Sequence, residues 1–131
     1  MLKRNRWFIT LALVYALLAG LVGISRIEMP ALLPGDGARL HGHLMLFGFV
    51  TMMIYGIALH VLPRFAGRVL FSERMADAQF LLANLGLWVM IYGWLALDDV
   101  ALGVGGAVSW LAMALFAVNI AATVRLFGPR V

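Results

Sequence analysis

Four uncharged apolar segments decide the fold of this chain, and the second of them, at residues 40–63, reads LHGHLMLFGFVTMMIYGIALHVLP. The other three lie at residues 7–24, 78–97 and 100–124. Because the hydrocarbon core of a bilayer is about 30 Å thick, a helix of roughly 20 apolar residues crosses it once. The sequence therefore predicts an all-α, integral-membrane four-helix bundle that forms a single domain over residues 1–131.

The composition excludes a water-soluble globular protein. Of the 131 residues, 64% are hydrophobic and 12% are charged, whereas charged residues make up about a quarter of a typical soluble domain. The chain has no cysteine, which excludes disulfides, thiolate metal sites and iron–sulfur clusters. Any metal or redox chemistry must therefore use His, Met, carboxylate or a bound cofactor.

The positive charges indicate how the chain is oriented in the bilayer. Lys and Arg collect in the short cytoplasmic loops of membrane proteins. Here they lie mainly at the two termini and in the loop between the second and third segments: Lys3, Arg4, Arg6, Arg64, Arg68, Arg74, Arg125 and Arg130. We therefore expect both termini inside, with Pro63 closing the second helix at its cytoplasmic end. We expect the inner (plasma) membrane of a bacterium or archaeon.

The same charges argue against a nucleic-acid partner. Although the net charge is +4, the basic residues are scattered at the segment ends and form no basic helix face. The lipid bilayer is therefore the predicted partner of the helix surfaces. Four polar residues of the third and fourth segments are predicted to form interhelical hydrogen bonds: Asn84, Ser109, Asn119 and Thr123.

All three histidines of the chain lie on the second predicted helix, at His41, His43 and His60. Ionisable side chains inside a membrane span are costly and usually functional. Because each helical residue turns by about 100°, His41 and His43 project to nearly opposite sides and each serves a different neighbour. His60 lies about 28 Å further along the helix and belongs to another site or to none.

Structural roles for the histidines remain open at this stage. His41, at the outer mouth of the helix, can be an interfacial residue that hydrogen-bonds to water or to the loop. His43 can be a neutral histidine satisfied by a neighbouring amide or carbonyl group, since an unpartnered polar group in lipid costs several kcal/mol.

The segment HGHLMLFGFVTMMIYGIALHVLPR, residues 41–64, combines an H-x-H pair, two spaced glycines at Gly48 and Gly56, and a closing Pro-Arg. It resembles the tenth helix of the catalytic subunit of haem–copper oxidases, most closely the cbb type, and is similar to the corresponding helix of nitric oxide reductase. In that family the first histidine of the pair binds the high-spin haem and the second the low-spin haem. The segment also resembles the family's second helix, with its HG-x-x-M-x-F pattern. The resemblance covers about 24 of the 131 residues.

The resemblance implies a fold more directly than an activity. The family's catalytic subunit has about twelve helices, arranged as four-helix arcs around a pseudo-threefold axis, and this chain resembles one such arc. The family's copper-binding histidines lie on other helices and have no counterparts here. The oxidase activity is therefore not carried over, no catalytic residue is predicted, and whether the chain is an enzyme stays open.

A b-type haem is the cofactor that this resemblance implies, with His41 and His43 as its metal ligands. Six-coordinate iron needs two axial ligands on opposite faces, whereas one chain offers histidines on one helix only. We therefore expect a homo-oligomer. A trimer that pairs His41 with His43 of the next copy is favoured, and a dimer that pairs His43 across a twofold axis is the alternative. Arg39, and Arg26 in the same outer loop, are the expected cations for the haem propionates.

Three function classes follow. The leading one is a small membrane cytochrome b that transfers electrons to a respiratory-chain partner or binds a diatomic gas. The second is a non-catalytic interaction or assembly subunit of a respiratory complex. The third is a copper-binding protein that uses His41, His43 and Met45, although the divergence of the two histidines counts against a mononuclear site.

Overall fold

A computed structural model of the chain describes residues 1–126; residues 127–131, and with them Arg130, lie outside the described residues. The described residues form four long helices and no strand. These are α1 (Lys3–Glu28), α2 (Gly37–Phe65), α3 (Glu73–Ala96) and α4 (Asp99–Val124). Each is long and apolar enough to cross a membrane, so the predicted all-α four-helix membrane bundle is confirmed.

The helices extend beyond the uncharged segments at six of their eight ends; α3 ends one residue short of its segment and α4 ends with its segment. The helix lengths of 24 to 29 residues correspond to about 36–43 Å, more than the hydrocarbon thickness of a bilayer. Polar side chains set three of the starting points, because each accepts a bond from a first-turn amide: Asp36 from Arg39 N at 3.0 Å, Ser72 from Met75 N at 3.2 Å, and Asp98 from Val100 N at 3.0 Å.

Pro63 does not close α2 as predicted. The helix continues through it and ends at Phe65, and the chain then turns at Gly67, which has a φ of +62°. Gly67 N donates to Arg64 O at 3.0 Å and Arg68 N donates to Pro63 O at 2.9 Å, the bond pattern of a Schellman motif. Pro63 lacks the N–H that would bond to the carbonyl one helical turn earlier, yet the helix continues past it, and the chain turns only at Gly67, where glycine permits a left-handed residue.

The helices form two tightly packed hairpins, α1 with α2 and α3 with α4, which α2 and α3 join. Glycines allow the close approach within each hairpin. A Cβ atom at Gly56 of α2 would lie 2.9 Å from Asn5 O of α1, and one at Gly105 of α4 would lie 2.8 Å from Gly86 O of α3. Because α1 and α4 make almost no contact, the bundle stays open between its first and last helices.

The core combines aromatic packing with interhelical hydrogen bonds. The fully buried ring of Phe8 meets Phe80 edge-to-face at a centroid distance of 4.8 Å. Tyr15 Oη donates to Asn84 Oδ1 at 2.8 Å, and Ser109 Oγ lies 3.8 Å from Met90 Sδ. Both of these bonds join two helices, so the predicted interhelical roles of Asn84 and Ser109 are confirmed.

The predicted roles of Asn119 and Thr123 need correction. Asn119 Oδ1 accepts from Ser72 N at 3.0 Å, and its amide donates to Ser72 O at 2.8 Å. Thr123 Oγ1 accepts from Phe71 N at 2.9 Å. Both side chains therefore hold the segment that precedes α3 rather than another helix. This segment has no regular secondary structure, so its free backbone groups need such partners.

Candidate functional site

The first turns of α2 are anchored to the C-terminal end of α3. Asp36 N donates to Trp94 O at 2.9 Å, while the Asp36 carboxylate caps α2. Gly35 precedes it with a φ of +77°, and a Cβ atom there would lie only 2.6 Å from Leu95 O. Because only glycine fits this close turn, the chain enters α2 at a defined place and the two histidines that follow are positioned with it.

His41 faces α1. Its Nδ1 lies 2.7 Å from Ala19 O, and a Cβ atom at Gly23 would lie 3.1 Å from the same nitrogen. The absence of a side chain at Gly23 therefore lets the half-buried imidazole lie flat enough against α1 to reach a backbone carbonyl. Because a carbonyl oxygen only accepts, the proton of this bond belongs to Nδ1.

His43 faces α3. Its Nδ1 lies 2.8 Å from Arg39 O, one helical turn earlier, so this nitrogen is also the donor. The ring stacks on Phe47 at a centroid distance of 5.8 Å and lies 5.1 Å from Trp94. We call His43, Phe47 and Trp94 the outer aromatic cluster. The rings of Phe47 and Trp94 limit the rotation of the imidazole about its side-chain bonds.

Arg39 lies at the edge of this cluster. Its guanidinium carbon is 5.4 Å from the centroid of the Trp94 ring, and its Nε is 3.5 Å from Asp36 Oδ2. The side chain is 67% exposed and lies at the end of the bundle that the sequence predicts to be outside. The cation–π contact and the ion pair hold a positive charge beside His43.

Both histidines thus carry the ring proton of this bond on Nδ1, and they lie on two sides of α2. Neither Nε2 hydrogen-bonds to the described part of the chain. With Nδ1 as the donor, a neutral imidazole keeps a lone pair on Nε2, the arrangement that most metal-binding histidines adopt. No three His, Asp or Glu side chains among the described residues are grouped to hold a metal. The two imidazoles of one chain face different neighbours, His41 toward α1 and His43 toward α3.

His60 lies near the other end of α2, about 28 Å along the helix axis from His41. Its ring forms no hydrogen bond with residues 1–126. It is therefore separate from the two outer histidines and serves as a reference position on the same helix.

A π-helical stretch, Leu44–Thr51, follows His43 directly. Such stretches interrupt the α-helical register and occur frequently at functional sites. Gly48 lies within it, where a Cβ atom would be 2.7 Å from Tyr15 Cβ. The π-helical stretch therefore lies against α1 directly after the two histidines along α2. The sequence pattern carried no signal of this stretch.

Comparisons with protein-family models, curated proteins and solved structures find no match for this chain. Function must therefore be inferred from the site. Sequence reasoning missed Ala19, Phe47 and Trp94 as partners of the histidines. A backbone carbonyl leaves no trace in a sequence pattern, and apolar rings are common in any membrane helix.

Proposed function

We propose that this chain is a small integral-membrane b-type haem protein that transfers electrons or binds a diatomic gas. His41 and His43 supply the axial imidazoles, and each haem is held between copies of the chain. A b-type haem bound in this way is a one-electron carrier when both axial positions are filled and a gas-binding group when one is open.

One observation carries this proposal: in both histidines Nδ1 donates to a backbone carbonyl, at 2.7 Å in His41 and 2.8 Å in His43. These bonds leave Nε2 as the free coordinating atom and restrain each ring. A lone pair on Nε2 with no partner among the described residues is what a metal-ligand position requires. Two adjacent histidines in the same state favour a pair of ligand positions.

The divergence of the rings favours an oligomer. Because His41 faces α1 and His43 faces α3, the two imidazoles of one chain cannot take opposite faces of the same porphyrin. Pairing His41 of one copy with His43 of the next satisfies both, and repetition of this contact closes into a ring. The trimer follows from the resemblance to one arc of the haem–copper oxidase subunit, and the twofold His43 pair remains the competing arrangement.

The surroundings of His43 fit a porphyrin edge chemically. Phe47 and Trp94 offer aromatic faces, and Arg39 supplies a cation at the outer end of the cluster for a propionate. Arg26, whose Cδ would lie 3.0 Å from a Cβ at Gly37, is close to the start of the same helix. The two arginines therefore supply the charge that an outward-facing propionate requires.

The test is the optical spectrum of the full chain, expressed with ample haem precursor and purified in detergent. We expect a Soret band and, after reduction, a sharp α band. An α band that carbon monoxide leaves unchanged indicates two imidazole ligands and electron transfer, whereas a shift indicates an open position and gas binding. Protein without any Soret band would overturn the proposal.

Three single variants assign the ligands: His41→Ala, His43→Ala and, as the matched control on the same helix, His60→Ala. A ring of His41–His43 pairs predicts one haem per chain, and loss of six-coordinate haem in both outer variants. Co-expression of the two outer variants should restore part of the six-coordinate haem. Where the two variants meet, His43 of the His41→Ala chain can pair with His41 of the His43→Ala chain. The twofold arrangement predicts one haem per two chains and no effect of His41→Ala.

The other function classes make different predictions for the same samples. A copper-binding protein would contain copper without porphyrin in metal analysis. A non-catalytic assembly subunit would lack both, would co-purify with a larger complex, and would tolerate His43→Ala. His41 faces α1 and His43 faces α3, so the two imidazoles of one chain diverge, which disfavours a mononuclear copper site.

A further inference from the structure

A cleft opens at the end of the bundle opposite to the histidine pair, between the loop after α2 and the last turn of α4. Its volume is about 630 Å³. We call it the basic cleft, and it is lined by Arg68, Val69, Phe71, Ala122, Thr123 and Arg125.

The walls of the basic cleft are held in place by buried hydrogen bonds. Phe71 N donates to Thr123 Oγ1 at 2.9 Å, and Asn119 exchanges two bonds with the backbone of Ser72. Asn119 is completely buried and Thr123 is 3% exposed. The loop is therefore fastened to α4 beneath the cleft, and the cleft has a defined floor.

Two arginines of the basic cleft have no ion-pair partner among residues 1–126. Neither Arg68 nor Arg125 forms an ion pair with a described carboxylate. Two carboxylates at this end of the bundle, Glu73 and Asp77, are each 2.8 Å from Arg4, whose side chain is only 9% exposed. Arg4 already neutralises part of their charge, so no carboxylate in the described part of the chain competes with an external anion for the two arginines of the cleft.

The rim of the cleft is apolar. Val69 is 88% exposed, Phe71 is 61% exposed, and Leu126 next to Arg125 is 67% exposed. A small water-soluble anion would make no favourable contact with these apolar side chains. An amphiphile with an anionic head and an acyl chain matches both parts of the site, because arginines bind the phosphate while exposed apolar side chains contact the lipid tail.

We propose that the basic cleft binds the headgroup of an anionic phospholipid. The arginine-rich end of the bundle is the predicted cytoplasmic end, and the cytoplasmic leaflet of the membrane is rich in anionic lipids. This site shares no residue with the histidine pair, so it stands independently of the proposed haem.

The experiment is native mass spectrometry of the full chain in detergent, titrated with phosphatidylglycerol or with phosphatidylcholine of the same acyl chains. We expect a marked preference for phosphatidylglycerol. The double variant R68Q/R125Q should weaken phosphatidylglycerol binding by about tenfold or more. The control K3Q/R6Q removes the same charge from the same end of the bundle and should leave the preference in place.

Several results would overturn the proposal. Equal losses in the two double variants would indicate only general surface charge. Displacement of phosphatidylglycerol by inorganic phosphate would indicate a free-anion site, and no preference between the two lipids would remove the site altogether. If R68Q/R125Q does not fold, the single variants R68Q and R125Q decide, because each should weaken binding measurably. R68K/R125K, which keeps the charge, should retain most of it.

Discussion

The close approach of α3 and α4 yields a prediction whose size can be worked from the structure. A Cβ atom added at Gly86 would lie 2.7 Å from Ser109 N and 2.9 Å from Gly105 O, both backbone atoms of α4 that cannot move alone. Ordinary contacts begin near 3.4 Å. Gly86→Ala must therefore push the helices apart by roughly 0.7 Å, and overpacking of this kind typically costs about 1–3 kcal/mol.

The matched control is Gly103→Ala on α4, because a Cβ atom at this exposed glycine meets no atom within 4 Å. Both substitutions gain the same helix propensity, up to about 1 kcal/mol. The difference between their free energies of unfolding therefore isolates the steric cost. We expect Gly86→Ala to be about 1–3 kcal/mol less stable than Gly103→Ala in reversible denaturation followed by circular dichroism. Equal stabilities would refute the tight α3–α4 contact.

Three further stability predictions can be checked by thermal unfolding in detergent. Gln79 is fully buried and its amide has no partner among the described residues, so Gln79→Leu should stabilise the fold by about 1–3 kcal/mol. A less stable variant would instead indicate that an internal water hydrogen-bonds to this amide. Leu97 is left-handed with a φ of 53°, so Leu97→Asn should stabilise by up to about 1 kcal/mol, and unchanged stability would contradict strain there. Asp36→Ala removes the cap of α2 and should cost about 1 kcal/mol, whereas an unchanged melting temperature would show that the loop alone fixes this end.

The number and approximate place of the helices could be predicted from the sequence because apolar length is a local property. A segment such as residues 40–63 has to cross a bilayer whatever the rest of the chain does, and its backbone must form a helix to satisfy its own polar groups. The divergence of His41 and His43 was predictable for the same reason, since it follows from helical geometry alone. The sequence also placed both histidines at one end of their helix.

What the tertiary structure decided is which groups meet across helices. The bond from His41 to Ala19 O depends on how closely α1 approaches at Gly23, and the contact of His43 with Trp94 depends on the loop that Gly35 ties to α3. Residues far apart in the chain meet only through the packing of all four helices, which is set by small differences in side-chain volume. For this reason the sequence could indicate two histidines as a site, while only the folded chain shows which nitrogen of each remains free.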